Sequence, residues 1–128
     1  MLSILNLGFI RSKLVVMSPI TTHVLDTALG RPAVGVPVVL ERAEGDTFSR
    51  LADGVTNDDG RVTDLLAAGA LAAGDYLLHF DTAAYFTATG RESFYPAVTV
   101  LFTVTDPDQH HHVPLLLSPY GYSTYRGS

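Results

Sequence analysis

Turn-forming residues recur at short intervals from residue 20 onward, and this spacing limits what the chain can fold into. Clusters of Gly, Pro, Asn and Asp arrive roughly every ten positions and separate short runs of strand-forming residues. Long helices do not fit between such turns, whereas short antiparallel strands do. The chain has 128 residues, 47% of them hydrophobic, which is enough for the core of one domain. We therefore predict an all-β sandwich.

The predicted sandwich has eight strands and one short helix. The helix covers residues 81–88, because Asp81 is a good N-cap and Gly90 a suitable end. The predicted strands are residues 20–26, 34–42, 47–55, 61–63, 75–80, 97–105, 110–117 and 122–126. Residues 29–32 predict a turn, and the Ala- and Leu-rich residues 65–73 a loop. Pro37 indicates an edge or a bulge in the second strand.

Residues 1–16 are predicted to lie outside this fold. An apolar stretch comes first and basic residues follow it, which is the reverse of a secretory signal. The stretch is also too short to span a bilayer as a helix. Met17-Ser18-Pro19 resembles a second start, and strand-like patterning follows at once. We therefore expect an extension at 1–16, a domain at 17–128 and a cytoplasmic protein.

Charge and composition exclude several functions. Eight Lys and Arg against thirteen Asp and Glu give a net charge of −5, so neither nucleic acid nor a membrane is expected as a partner. The absence of Cys excludes disulfides, a thiolate nucleophile and cysteine-ligated metals. The turn Asn57-Asp58-Asp59-Gly60 lacks the first Asp and the closing Glu of a calcium loop. No nucleophile elbow, phosphate-binding loop or dinucleotide fingerprint is present.

Five histidines and a single Lys indicate proton-transfer chemistry near neutral pH. Strand alternation divides residues 110–117 between two faces. One face carries His110, His112, Pro114 and Leu116, and the other, predicted to be core, carries His111, Val113, Leu115 and Leu117. In the first strand, His23 shares a face with Thr21 and Leu25.

Simpler interpretations of these histidines remain open. Three consecutive histidines beside a turn are often a solvated strand end. His110 and His112 could instead hold the metal of a metal-dependent hydrolase. His79 follows two leucines without a polar neighbour, so a structural or exposed position is expected.

Five short motifs occur along the chain in a fixed order. They are Thr21-Thr22-His23-Val24-Leu25-Asp26, Asn57-Asp58-Asp59-Gly60-Arg61, Phe94-Tyr95-Pro96, residues 110–119 (HHHVPLLLSP) and Tyr125-Arg126-Gly127-Ser128. Together they closely resemble the 5-hydroxyisourate hydrolase family, the enzymatic relatives of transthyretin. The resemblance runs from about Ser18 to Ser128.

The resemblance implies a transthyretin-like β-sandwich assembled as a homotetramer, a dimer of dimers whose interface forms a channel. It implies hydrolysis of 5-hydroxyisourate to 2-oxo-4-hydroxy-4-carboxy-5-ureidoimidazoline in urate catabolism, without a metal or a cofactor. The catalytic residues it implies are His23, Arg61, His112 and Ser128. The residues expected to contact substrate are Leu25, Pro114, Leu116, Ser123, Tyr125 and Arg126. One departure is His111, where the family usually has Tyr, although strand alternation turns this residue away from His112.

The residues themselves suit this reaction. Opening a cyclic amide needs a base for water, a donor for the developing oxyanion and an acid for the leaving nitrogen. We predict that His112, with His23 beside it, activates water, while Arg61 and the region of Ser128 orient the substrate. Which histidine is base and which is acid stays open. The alternative is a binding protein without catalysis, since transthyretin carries hydrophobic hormones in the same channel and lacks this set of residues.

Overall fold

The computed structural model describes residues 18–128, so the extension predicted at 1–16 lies outside the described residues. The described part of the chain contains short strands and one helix. In chain order they are β1 (Ile20–Asp26), β2 (Arg31–Pro32), β3 (Pro37–Glu44), β4 (Thr47–Val55), β5 (Arg61–Val62), β6 (Gly74–Phe80), α1 (Thr82–Ala88), β7 (Val98–Val104), β8 (His111–Ser118) and β9 (Gly121–Thr124).

The strands form two sheets, which confirms the predicted all-β sandwich with one short helix. The first sheet has the order β2-β1-β8-β9, and β5 also pairs with β1. The second has the order β4-β3-β6-β7. β1 and β8 run parallel, whereas the strands of the second sheet pair antiparallel. This places the two ends of the described chain side by side in one sheet.

The core lies between the inward faces of the sheets, and strand alternation supplies it. Val38 and Leu40 of β3 are fully buried, as are Leu78 and Phe80 of β6. The residues between them are less buried and face outward. His79, for which a structural or exposed position was predicted, is among these half-buried residues. In a two-layer sandwich, each strand buries one of its two faces against the other sheet.

Helix α1 begins where the sequence predicts. Asp81 is its N-cap, and the carboxylate Oδ1 accepts a hydrogen bond from the Ala84 N–H at 3.0 Å. Gly90, with φ of +69°, follows the helix end. The Tyr85 hydroxyl donates to the buried Asp26 carboxylate at 2.7 Å and so attaches the helix to the end of β1. No helix in residues 18–128 has the length and apolar character needed to cross a membrane.

Several boundaries differ from the prediction, and three of the differences are informative. The turn predicted at 29–32 lies at 27–30, and Arg31 and Pro32 instead form β2, paired with the end of β1. Pro37 is the first residue of β3, where a missing N–H is tolerated, and the irregularity falls between Leu40 and Glu41. The last strand ends at Thr124 rather than Arg126, and pairing resumes only as an isolated bridge from Gly127 to His112.

Candidate active site

The outward face of the first sheet brings most of the predicted site residues together in rows. Parallel pairing of β1 with β8 sets Thr21 opposite His112, His23 opposite Pro114, and Leu25 opposite Leu116. Facing residues of neighbouring strands point to the same side of a sheet. The intervening residues are core, including His111 at 4% exposure and Leu115 at 0%. The two faces of β8 are therefore divided as strand alternation predicts.

The turn before β5 holds Arg61 beside His23, its partner in the antiparallel pairing of β5 with β1. The Asn57 side chain accepts the Arg61 N–H at 2.9 Å, and the Val24 N–H donates to the Gly60 carbonyl at 2.7 Å. Gly60 has φ of +77°, and a Cβ there would lie 2.5 Å from the Val24 carbonyl oxygen. Only glycine fits this approach, so the sequence of the turn fixes where Arg61 emerges.

His112 is held on two sides. Its Nδ1 lies 2.8 Å from the Thr21 hydroxyl, which also lies 2.9 Å from Nε2 of His110. The His110 and His112 rings are nearly parallel, with centroids 6.4 Å apart. On the other side, the Gly127 N–H donates to the His112 carbonyl at 2.8 Å, and a Cβ on Gly127 would lie 2.6 Å from the ring. The imidazole is therefore fixed in place.

The sequence reasoning missed Thr21 as a member of this site. Thr21 has the same strand parity as His23, and this shared face could have indicated that Thr21 lies in the site. His110 was assigned to the correct face, but its bond to Thr21 depends on how β1 and β8 align. Both residues belong to the group of side chains around His112.

Burial and positive charge favour the neutral form of both candidate imidazoles. The pKa of His112 is lowered by burial, and the charge of Arg61 and the neighbouring His110 and His23 lower it further. Burial and then Arg61 lower the pKa of His23, although a hydrogen bond to the Asp59 backbone opposes this. Neutral imidazoles beside a guanidinium can accept protons at neutral pH.

The remaining predicted residues are distributed around this face. Ser123 pairs with Leu116, and Tyr125, two residues further on, is exposed. Ser128 directly follows Gly127 and is exposed. The Arg126 side chain donates to Gln109 Oε1 at 3.1 Å, and Arg126 lines a cavity with His112.

A cavity of about 310 Å³ lies between the edges of the two sheets. Arg126 lines it with His111, His112 and Phe102, whereas neither His23 nor Arg61 does. Burial lowers the pKa of His111, and its Nδ1 has no hydrogen-bond partner within residues 18–128. The cavity therefore reaches His112 but neither His23 nor Arg61.

The metal alternative rests on two histidines alone. In the described part of the chain, no three His, Cys, Asp or Glu side chains converge closely enough to hold a metal ion. His110 Nε2 and His112 Nδ1 both face the Thr21 hydroxyl. The arrangement that the structure does supply is two imidazoles and a guanidinium, which suits general acid–base chemistry with stabilisation of an oxyanion.

Comparison with known proteins relates this arrangement to a family. Residues 20–127 match the family model described as the HIUase/Transthyretin family. The 5-hydroxyisourate hydrolase of Mus musculus is 51% identical over 113 residues, which cover 87% of this chain and 96% of that protein.

Two solved structures share the fold. The 5-hydroxyisourate hydrolase of Klebsiella pneumoniae has a TM-score of 0.74 at 44% identity, covering 85% of this chain and 98% of that one. Sea bream transthyretin, solved in complex with thyroxine, has a TM-score of 0.81 at 32% identity, covering 86% and 95%. By sequence over nearly the whole described region, and by fold, the chain belongs to the HIUase/Transthyretin family.

Proposed function

We propose that this chain hydrolyses the cyclic amide of 5-hydroxyisourate, a step in the breakdown of urate. The observation that carries the proposal is the meeting of His23, Arg61 and His112 on one outward face, with both imidazoles favoured in the neutral form. The names of the mouse and Klebsiella relatives support the choice of substrate.

The geometry supports a metal-free mechanism. His112 takes a proton from water, and the resulting hydroxide adds to the ring carbonyl. The Arg61 guanidinium donates hydrogen bonds to the oxyanion that forms. When the carbon–nitrogen bond breaks, the leaving nitrogen takes a proton from an imidazolium, for which His112 and His23 are the candidates. Ser128 and the surrounding side chains at Leu25, Pro114, Leu116, Ser123, Tyr125 and Arg126 orient the ring.

We infer that the active form is a homotetramer, a dimer of dimers. Among the strands of residues 18–128, β7 and β9 lie at sheet edges, and edge strands are suited to pairing with a second chain. Large apolar side chains near them are exposed, including Phe94 at 69% and Leu101 at 61%. The face with His112 is open in a single chain, whereas a second dimer across it would exclude water from the reaction.

A time course with freshly generated 5-hydroxyisourate tests the proposal. Urate and urate oxidase supply the unstable substrate, and its ultraviolet signal should decay faster when the protein is added. His112→Asn is close in size but cannot exchange protons near neutrality, so it should lose about 100-fold or more of the rate at little cost in stability. His79→Asn removes an imidazole from the second sheet and serves as the matched control.

Two results would contradict the proposal. The first is decay of 5-hydroxyisourate at its spontaneous rate in the presence of folded, assembled protein. The remaining function would then be ligand binding without catalysis, which the similarity to thyroxine-bound transthyretin suggests. A fully active His112→Asn variant would remove His112 from the mechanism.

A further inference from the structure

We propose that the Thr21 hydroxyl couples the tautomers of His110 and His112 and so keeps Nε2 of His112 free to accept a proton. Thr21 is then a positioning residue, and His110 is the second imidazole through which it acts. The use of Nε2 as the base rests on the function proposed above, whereas the coupling itself rests on the hydrogen-bond geometry alone.

The coupling follows from the number of protons available. The Thr21 hydroxyl lies 2.8 Å from His112 Nδ1 and 2.9 Å from His110 Nε2, and it can donate to only one of them. The residue is 3% exposed, and within residues 18–128 the hydroxyl has no third partner that could take its proton. Leaving that proton unpaired would be costly, so one ring nitrogen accepts from the hydroxyl and the other donates to it.

Two arrangements satisfy this condition. In the first, His112 donates from Nδ1 to Thr21, and Thr21 donates to Nε2 of His110, which leaves Nε2 of His112 unprotonated. In the second, both bonds reverse and the proton of neutral His112 sits on Nε2. Activation of water by His112 requires the first arrangement, because only there is a lone pair available on Nε2.

The arrangement also makes His112 sensitive to the charge state of His110. A protonated His110 must donate from Nε2, so the hydroxyl turns to His112 Nδ1 and moves the His112 proton to Nε2. Arg61 on β5 and His23 on β1 are the charged and titratable groups beside His112. Tyr125 and Arg126 line a cavity with His112, and Asp108 lines a pocket with His110.

Thr21→Val tests the coupling, with Thr22→Val as the matched control. Both substitutions replace a buried threonine hydroxyl in β1 by a methyl group. The Thr22 hydroxyl, however, donates to the Val113 carbonyl at 2.6 Å on the inward face. Nitrogen-15 spectra of histidine-labelled, full-length protein report which ring nitrogen carries the proton, and His112→Asn assigns the His112 signals.

We expect wild-type His112 to carry its proton on Nδ1, and Thr22→Val to keep that signature. Thr21→Val should mix the tautomers and lower kcat by about 10- to 100-fold with little change in KM, and Thr21→Ser should restore both. His110→Phe keeps a stacked ring at an exposed position but leaves the hydroxyl only His112 to donate to. It should therefore shift the proton to Nε2 and lower kcat as well.

The spectra test the coupling, and the hydrolysis rates of the wild type test the proposed function. A wild-type His112 that carries its proton on Nε2, or a Thr21→Val variant with unchanged tautomer and pH profile, would overturn the coupling. If Thr21→Val does not fold, Thr21→Ser and His110→Phe decide the same question. Absence of 5-hydroxyisourate hydrolysis by the wild type would overturn the proposed function, while the spectra would still show whether Thr21 sets the tautomer.

Discussion

Arg61 acts on both imidazoles of the candidate site, since its charge is the second cause, after burial, of the lowered pKa of His23 and of His112. Arg61→Met should therefore raise both pKa values toward 6.5. The acid limb of kcat/KM, which reports the free enzyme, should move to higher pH. Loss of the oxyanion donor should also lower kcat by about 100-fold.

The control for this prediction is Arg50→Met, which removes an arginine paired with Asp53 on the second sheet. It should leave the pH profile of hydrolysis unchanged. An acid limb at the wild-type position in Arg61→Met would mean that the charge of Arg61 does not lower the two pKa values.

At the site, the face of each histidine could be predicted from the sequence, but the contacts between strands could not. Alternation along one strand is a local property, so it placed His112 and His111 on opposite faces. The bond between Thr21 and His110 joins residues 89 positions apart, and it depends on the register of β1 against β8. Nothing in either segment alone specifies that register.

At the scale of elements, the turn that ends at Gly60 links stability to the position of Arg61. Gly60→Ala adds strain at φ of +77° and a contact 2.5 Å from the Val24 carbonyl oxygen. Gly45→Ala adds comparable strain at φ of +62° but meets nothing within 4 Å. We expect Gly45→Ala to cost about 1–2 kcal/mol and Gly60→Ala at least about 1 kcal/mol more.

Urea unfolding at one protein concentration measures both changes, and kcat should fall in Gly60→Ala alone because Arg61 is displaced. Equal costs for the two variants would show that the turn relaxes without strain. Equal kcat values would show that Arg61 keeps its place despite the added methyl group.

The elements differ in how far the sequence could predict them. Helix α1 depends on its own N-cap at Asp81 and on Gly90 after its end, so local reasoning placed it correctly. Strand β2 depends on pairing with β1, and its residues Arg31 and Pro32 carry only turn signals. β9 ends early because it leaves the pairing with β8 at Thr124, which no local pattern specifies.

At the scale of the whole molecule, assembly and activity should be lost together. Leu116 is half-buried on the outward face opposite Leu25, in the row next to His23. Leu116→Lys should place a charge in the proposed contact between dimers and give dimers with little activity. Leu51→Lys, at an exposed position on β4, is the control and should remain tetrameric. Sedimentation and the ultraviolet assay should be run on one preparation of Leu116→Lys. Dimers that hydrolyse the substrate at the full rate would contradict the prediction.

The proposed domain at 17–128 predicts that residues 1–16 are dispensable. A chain that starts at Met17 should keep its fold, its assembly and its hydrolytic rate, because every side chain proposed to act in hydrolysis lies at or beyond Thr21. Circular dichroism, sedimentation and the ultraviolet assay would check this against the full chain. Loss of soluble protein on truncation would mean that the segment docks on the sandwich.

The two sheets draw most of their strands from different stretches of chain, and this has a consequence for the order of folding. The second sheet uses β3, β4, β6 and β7, all between Pro37 and Val104, a stretch in which only β5 belongs to the first sheet. The first sheet must close a loop between Thr21 and His112, 91 positions apart, before β1 meets β8. Loop closure of this length is entropically costly and slows folding. A refolding chain should therefore regain most of its β-sheet signal before hydrolysis returns, since the histidine face forms last.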